Sequence, residues 1–113
     1  MTNFKDSQYD YIARQEIESL GVMASNTWRN DPKRLGFTLA RYKFVSKMLE
    51  GFENVLEVGC GDAWASRVVK QTVNRLVASD YDQSFIDTAR ENHSDKWPLE
   101  YAVHDFLNGQ HEE

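Results

Sequence analysis

Apolar positions along this chain change their period more than once, and the changes mark out its elements. Tyr9, Ile12, Ala13, Ile17 and Leu20 recur at helical spacing from about Ser7 to Leu20, with Gly21 as the stop. Residues before Ser7 read as a loose terminus, and Asn26 to Pro32 reads as a loop in which Trp28 wants an apolar neighbour. A stronger stripe follows. Phe37, Ala40, Phe44, Val45, Met48 and Leu49 predict a helix as far as Glu50, ended by Gly51. The period then disappears. Val55-Leu56-Glu57-Val58 is a short, largely apolar run of the kind found in strands buried on both faces, and it breaks at Gly59-Cys60-Gly61-Asp62. Ala63 to Lys70 reads as the next helix, with Asp62 near its positive N-terminal end. Leu76-Val77-Ala78-Ser79 predicts a second strand ending in Asp80-Tyr81-Asp82. Gln83 to Glu91 predicts a helix capped by Asp82, with Phe85, Ile86 and Ala89 facing inward. After a polar loop holding Trp97, Glu100 to His104 predicts a third strand that runs into Asp105-Phe106-Leu107, and a polar tail closes the chain.

Two leading helices followed by βαβαβ put the chain in the α/β class, with a parallel sheet and right-handed crossovers. At 113 residues it is one domain at most. Within it, residues 1–34 read as a helical extension and a candidate lid, and 35–113 as the α/β part. Thirteen basic against eighteen acidic residues give a formal charge of −5, which disfavours a protein that grips a nucleic-acid backbone. Cys60 is the only cysteine, so there is no internal disulfide, in keeping with a reducing compartment. Met1 to Asp6 is no signal peptide and no apolar run reaches membrane-spanning length, so a cytoplasmic protein without a membrane partner is expected.

The chemistry gathers where the strands end. Glu57 with the glycines, then Asp80, then Asp105 fall at one edge of the expected sheet. Asp80 follows Gly61 by 19 residues, the spacing at which an acid at the end of the next strand accepts from ribose hydroxyls, so an adenosine ligand is favoured. A dinucleotide turn wants a small residue where this chain has Trp64, which counts against NAD and for S-adenosylmethionine. Arg41 falls among the apolar positions of its helix, away from Lys43 and Lys47. It either reaches past the core or pairs with a carboxylate such as Glu57, or it clamps a ligand carboxylate at the pocket. Cys60 reads as a small filler, and Trp28, Trp64 and Trp97 as packing residues. His93 and His111 have no metal-ligand spacing with Cys60, so no metal is expected.

Glu57-Val58-Gly59-Cys60-Gly61 resembles the first motif of class I S-adenosylmethionine-dependent methyltransferases. Ser79-Asp80-Tyr81-Asp82, with Ala89 in the next helix, resembles their second, and Val103-His104-Asp105-Phe106 their third. The resemblance spans about Leu35 to Leu107 and implies a Rossmann-like three-layer sandwich, here partial. It implies that Gly59, Cys60 and Gly61 lie against the methionine and ribose part, Glu57 orients the turn, and Asp80 binds the ribose. Tyr81 would pack on adenine, Asp105 would accept from the adenine amino group, and Phe106 would donate its amide or flank the ring. Ala63 stands where the family often has a third glycine, a departure that a small residue tolerates.

The family fold that the resemblance implies has seven strands and this chain supplies three, expected in the parallel order 3-2-1, ending before the fourth, after which substrate contacts and any catalytic base usually come. The first strand would therefore have an unpaired apolar edge, to be covered by a missing C-terminal segment or a partner chain. The expectation is the cofactor-binding part of a longer methyltransferase, inactive alone, for a small-molecule or saccharide-type acceptor rather than nucleic acid. Tyr9, Tyr11, Trp28 and Arg29 are candidates for the lid. Two other classes compete: a non-catalytic module that holds the cofactor or completes a partner's sheet, and an NAD-dependent oxidoreductase.

Overall fold

The computed structural model describes residues 4–15 and 17–105. Its elements are α1 (Phe4–Ala13), α2 (Val22–Asn30), α3 (Pro32–Met48), β1 (Asn54–Val58), α4 (Arg67–Lys70), β2 (Arg75–Asp80), α5 (Gln83–Glu91) and β3 (Glu100–Val103). The strands form one parallel sheet in the order β1-β2-β3, with Val55 opposite Leu76, Glu57 opposite Ala78, and Ala78 opposite Tyr101. This is the α/β class and parallel sheet expected of the βαβαβ pattern, with the strand order that the family resemblance implies.

Register decides which side is covered. Val55, Glu57, Leu76, Ala78 and Tyr101 share one face, because side chains alternate along a strand. On that face Val69, Val73 and Leu76 form a core against Tyr42 and Val45 of α3 and Leu49 at its end. A second core joins Cys60, Ala63 and Ala78 to Ile86 and Ala89 of α5. Helices α3, α4 and α5 thus all lie on one side, as successive right-handed crossovers in one direction require. Leu56 and Val58 point to the other side and are 44% and 59% exposed. β1 was expected to be buried on both faces, but its burial alternates, because among the described residues no helix covers that second face.

Several sequence expectations shift here, each for a physical reason. The first helix was expected to run to Leu20, yet α1 stops at Ala13 and every described side chain from Tyr9 to Leu20 is exposed. With these side chains exposed, its apolar period has no burial to enforce it. Asn26 to Pro32, expected to be a loop, is largely helix α2, whose polar composition hides its two buried positions, Ala24 and Thr27. Pro32 opens α3: it occupies the first turn, and the Asp31 carboxylate accepts from the Arg34 N–H at 3.1 Å. α3 therefore crosses the division expected at Leu35.

The expected stripe on α3 is only partly its inward face. Tyr42, Val45, Ser46 and Leu49 face the core, while Phe37, Phe44 and Met48 are well exposed. The helix expected from Ala63 shrinks to Arg67–Lys70, because Ala63 takes a left-handed φ of 60° that an α-helix cannot include. By contrast, α5 has the expected bounds, and Asp82 caps it by accepting from the Ser84 N–H at 2.9 Å.

Candidate functional site

At the end of β1 the chain turns across the neighbouring strand. The N–H groups of Gly59 and Cys60 both donate to the Ser79 carbonyl at 2.9 Å, and the Ser79 hydroxyl donates to the Glu57 carbonyl at 2.7 Å. Gly59 and Gly61 sit at φ 76° and 60°, where a side chain would strain the backbone. A Cβ at Gly59 would meet nothing within 4 Å, so the turn presents bare backbone to open space.

Asp80 closes the turn from β2. Its Oδ2 accepts the Gly61 N–H at 2.8 Å and its Oδ1 accepts the Asp82 N–H at 3.0 Å. A carboxylate has about four acceptor positions, so each oxygen keeps one for an incoming donor. Asp80 is only 7% exposed and lines a cavity of about 230 Å³ together with Gly59, Cys60, Gly61 and Arg41. Buried acceptors with spare capacity beside a glycine turn suit a ligand that brings hydroxyls.

Glu57 holds the turn from behind. The Ser66 hydroxyl donates to its Oε1 at 2.6 Å, and the Tyr42 hydroxyl donates to its Oε2, joining α3, β1 and the segment before α4. Burial raises the Glu57 pKa, while those two hydrogen bonds and the Arg41 charge pull it back. Burial and the Glu57 charge likewise raise the Tyr42 hydroxyl. The Cys60 thiol is pushed up to about 12, chiefly by burial and then by Glu57 and Asp80. It stays protonated at neutral pH and donates to the Gly61 carbonyl at 3.1 Å, which fits a filler and not a nucleophile.

Arg41 has an exposed side chain whose guanidinium carbon lies 6.0 Å from the Tyr42 ring centroid. It lines the cavity, as Arg34 does about two turns earlier on α3. The structure thus brings Arg41, Gly59, Cys60, Gly61 and Asp80 together, with Glu57 behind them. Tyr81 is 75% exposed at the next strand end, Asp105 is partly buried just past β3, and neither lines this cavity. Phe106 lies outside the described residues. The sequence reading missed Met23, Thr27 and Arg34, which also line the cavity. Met23 and Thr27 lie on α2, whose polar composition concealed it. Asp62, expected near the positive N-terminal end of the helix after it, instead accepts from the Met23 N–H at 3.0 Å, because Ala63 turns the chain away from a helix. Among the described residues no cluster of His, Cys, Asp or Glu could hold a metal ion, and no helix is long and apolar enough to cross a membrane.

The sequence model described as a methyltransferase domain matches residues 56–112, half of the chain, starting inside β1. The chain belongs to the methyltransferase domain family. S-adenosylmethionine is the cofactor of the class I fold, and the donors and acceptors of this cavity fit it: bare backbone at Gly59, spare acceptors on Asp80, and a cation at Arg41. Solved structures share the fold. An S-adenosylmethionine-dependent methyltransferase from Clostridium acetobutylicum matches 91% of this chain at 16% identity, with a TM-score of 0.57. Phosphoethanolamine N-methyltransferase 1 of Haemonchus contortus, solved with phosphoethanolamine and S-adenosylhomocysteine, matches 97% at 16% identity, with a TM-score of 0.53. The 23S rRNA methyltransferase ErmE matches 66% at 24% identity, with a TM-score of 0.52. The methyltransferase domain described here spans only 39%, 22% and 30% of those three chains. No curated protein matches it in sequence.

Proposed function

We propose that this chain is the cofactor-binding portion of an S-adenosylmethionine-dependent methyltransferase that acts on a small-molecule or saccharide-type acceptor. The observation that carries the reading is Asp80, buried at the end of β2, oriented by the Gly61 and Asp82 N–H groups, with acceptor capacity left over. It would receive the ribose hydroxyls. Gly59, Cys60 and Gly61 would lie along the methionine and ribose part, and Arg41 would clamp the methionine carboxylate as a cation at the rim. Tyr81, exposed beside Asp80, would cover one face of adenine, with Asp105 and Phe106 at its amino edge.

Bound S-adenosylmethionine supplies an electrophilic methyl group ready for in-line displacement. This chain's residues contribute orientation and a dry wall, which is where most of the rate would come from. Glu57 is held by Ser66 and Tyr42 and is committed to supporting the turn, so it is no base for the acceptor. Acceptor contacts and any base are expected beyond these three strands, and the chain alone is expected to bind without turnover. The net charge of −5 supports a small acceptor over nucleic acid. The buried unpaired thiol of Cys60 supports a reducing, cytoplasmic setting.

The open edge of β1 favours one second reading, a module that completes a partner's sheet and holds the cofactor without catalysis. Calorimetric titration with S-adenosylhomocysteine, with NADH alongside, tests the main reading. Binding of the adenosyl compound alone, lost in Asp80→Ala, supports it. A folded chain that binds neither compound overturns it, and preference for NADH would favour the oxidoreductase. A complex with a β1-covering partner that binds the adenosyl compound yet turns nothing over would favour the second reading.

A further inference from the structure

Asp62 is 3% exposed, and its carboxylate is committed across the chain. Oδ2 accepts the N–H of Met23, 39 residues away in the first turn of α2. The residue at the N-cap position is Gly21, which has no side chain to offer. One of the orphan donors of that helix start is therefore satisfied by a distant carboxylate, whose charge also sits at the positive end of the helix dipole. The approach is close. Gly21 has φ 101°, and a Cβ built there would lie 2.4 Å from Asp62 Oδ2, so only glycine lets the chain pass.

The contact bears on the cavity because of what α2 carries. Met23 and Thr27 line it, and the Met23 side chain lies over Gly61, where an added Cβ would meet Met23 Cγ at 3.7 Å. The other support of α2 is packing against α3, with little burial. Only Ala24 and Thr27 of its nine residues are buried. Among the described residues Asp62 Oδ1 is buried with no partner, so there this carboxylate has one strong anchor, the Met23 N–H.

We propose that Asp62 is a positioning residue that pins α2 over the glycine turn as the roof of the cavity, and so sets how fast the adenosyl ligand enters and leaves. The claim about rates rests on the cofactor reading above. Without the pin, α2 lifts while the sheet, α3 and the turn stay in place, because Asp80 and Glu57 hold the turn independently of Asp62.

The test compares wild type with Asp62→Ala and Asp62→Asn by amide hydrogen exchange and by stopped-flow kinetics of S-adenosylhomocysteine. In Asp62→Ala the amides of Met23 and Ser25 are expected to lose at least about tenfold protection, as loss of a charge-assisted hydrogen bond implies, while α3 amides keep theirs. Association and dissociation rates both rise, by about tenfold, with a smaller change in affinity. Asp62→Asn retains an acceptor and restores most of the protection. A uniform loss of protection through the whole chain would mean a merely structural role and overturn the proposal. So would unchanged α2 protection in a folded Asp62→Ala protein. If that variant does not fold, Gly21→Ala displaces the same oxygen from the other side and carries the same expectations. A wild-type protein that binds no S-adenosylhomocysteine overturns the cofactor reading and the rate claim, and the exchange measurement still decides the pin.

Discussion

Acids along this chain have distinct jobs because their surroundings differ. Asp80 is held by two backbone N–H groups and keeps acceptor capacity for a ligand. Replacing it with Asn puts an amide donor against one of those N–H groups. S-adenosylhomocysteine affinity is expected to fall by about tenfold to a hundredfold, the value of a charged hydrogen bond, as read by calorimetry. Glu57 is partly buried, and burial raises its pKa. The folded state therefore binds this proton more tightly than the unfolded chain does, and the ionised form weighs against folding at neutral pH. As pH falls through the raised value towards the ordinary carboxylate range, that penalty disappears and stability rises. Asp82 and Glu100 act in the opposite sense. Hydrogen bonds from Ser84 and from Arg75 lower their pKa values, so their contributions are present above the ordinary range and are lost as pH falls below it. Thermal unfolding from pH 4 to 8 is expected to show greatest stability on the acid side of neutrality. In Glu57→Gln the decline from that maximum towards pH 7 flattens. An unchanged slope in the variant would show that Glu57 is not its source.

Elements differ in how far their own residues determine them. α5 was legible end to end, because Asp82 caps it through a contact two residues away and its inward positions Ile86 and Ala89 follow helical spacing. The glycine turn was legible for the same reason: an apolar run, two glycines and an acid 19 residues on are all local or fixed in spacing. α2 was not, since what ties down its start is Asp62, 39 residues away, and no window along the chain contains both. The inward face of α3 was misjudged because Phe37, Phe44 and Met48 outweigh Tyr42 and Ser46 in hydrophobicity. Tyr42 faces inward to reach Glu57, and Ser46 to reach Thr72 at 3.0 Å. The anomalous position of Arg41 left a side chain reaching past the core, an ion pair or a ligand clamp open, and the residue lines the cavity. At the start of α3, Asp31 performs a cap that the residue sequence carries openly, Asp-Pro before a helical period. Asp31→Ala is expected to cost about 1 kcal/mol, which lowers the midpoint of a domain this size by about 4–8 °C. Calorimetry without ligand checks it, and no shift would mean that Pro32 alone sets the start of the helix.

The molecule as a whole is asymmetric. One face of its sheet is packed by three helices, while the other presents Leu56 and Val58 beside the unpaired backbone of β1. Phe37, Phe44 and Met48 on α3 add well-exposed apolar surface. A strand edge with apolar flanks is a template for another strand, and natural sheets usually protect such an edge with charge, proline or a covering element. None of the three protects β1 among the described residues, since Glu57, its one charge, points into the helix-covered face. The chain spans less than half of each structure it was compared with, which leaves room in those folds for whatever covers the equivalent edge. By itself, the chain is expected to associate through β1 as its concentration rises. Val58→Lys places a charge on the open face at a side chain that is 59% exposed, so folding changes little. Association should weaken by about tenfold or more, because burying one valine at a contact contributes about 1.5–3 kcal/mol and a buried lysine costs more still. Sedimentation velocity over a hundredfold range of concentration reads this directly. Wild-type protein that stays monomeric throughout would mean that the edge is already protected, whereas equal association in Val58→Lys would move the contact to the exposed face of α3. Weaker association with an unchanged melting curve would locate it at β1, the edge a fourth strand would join.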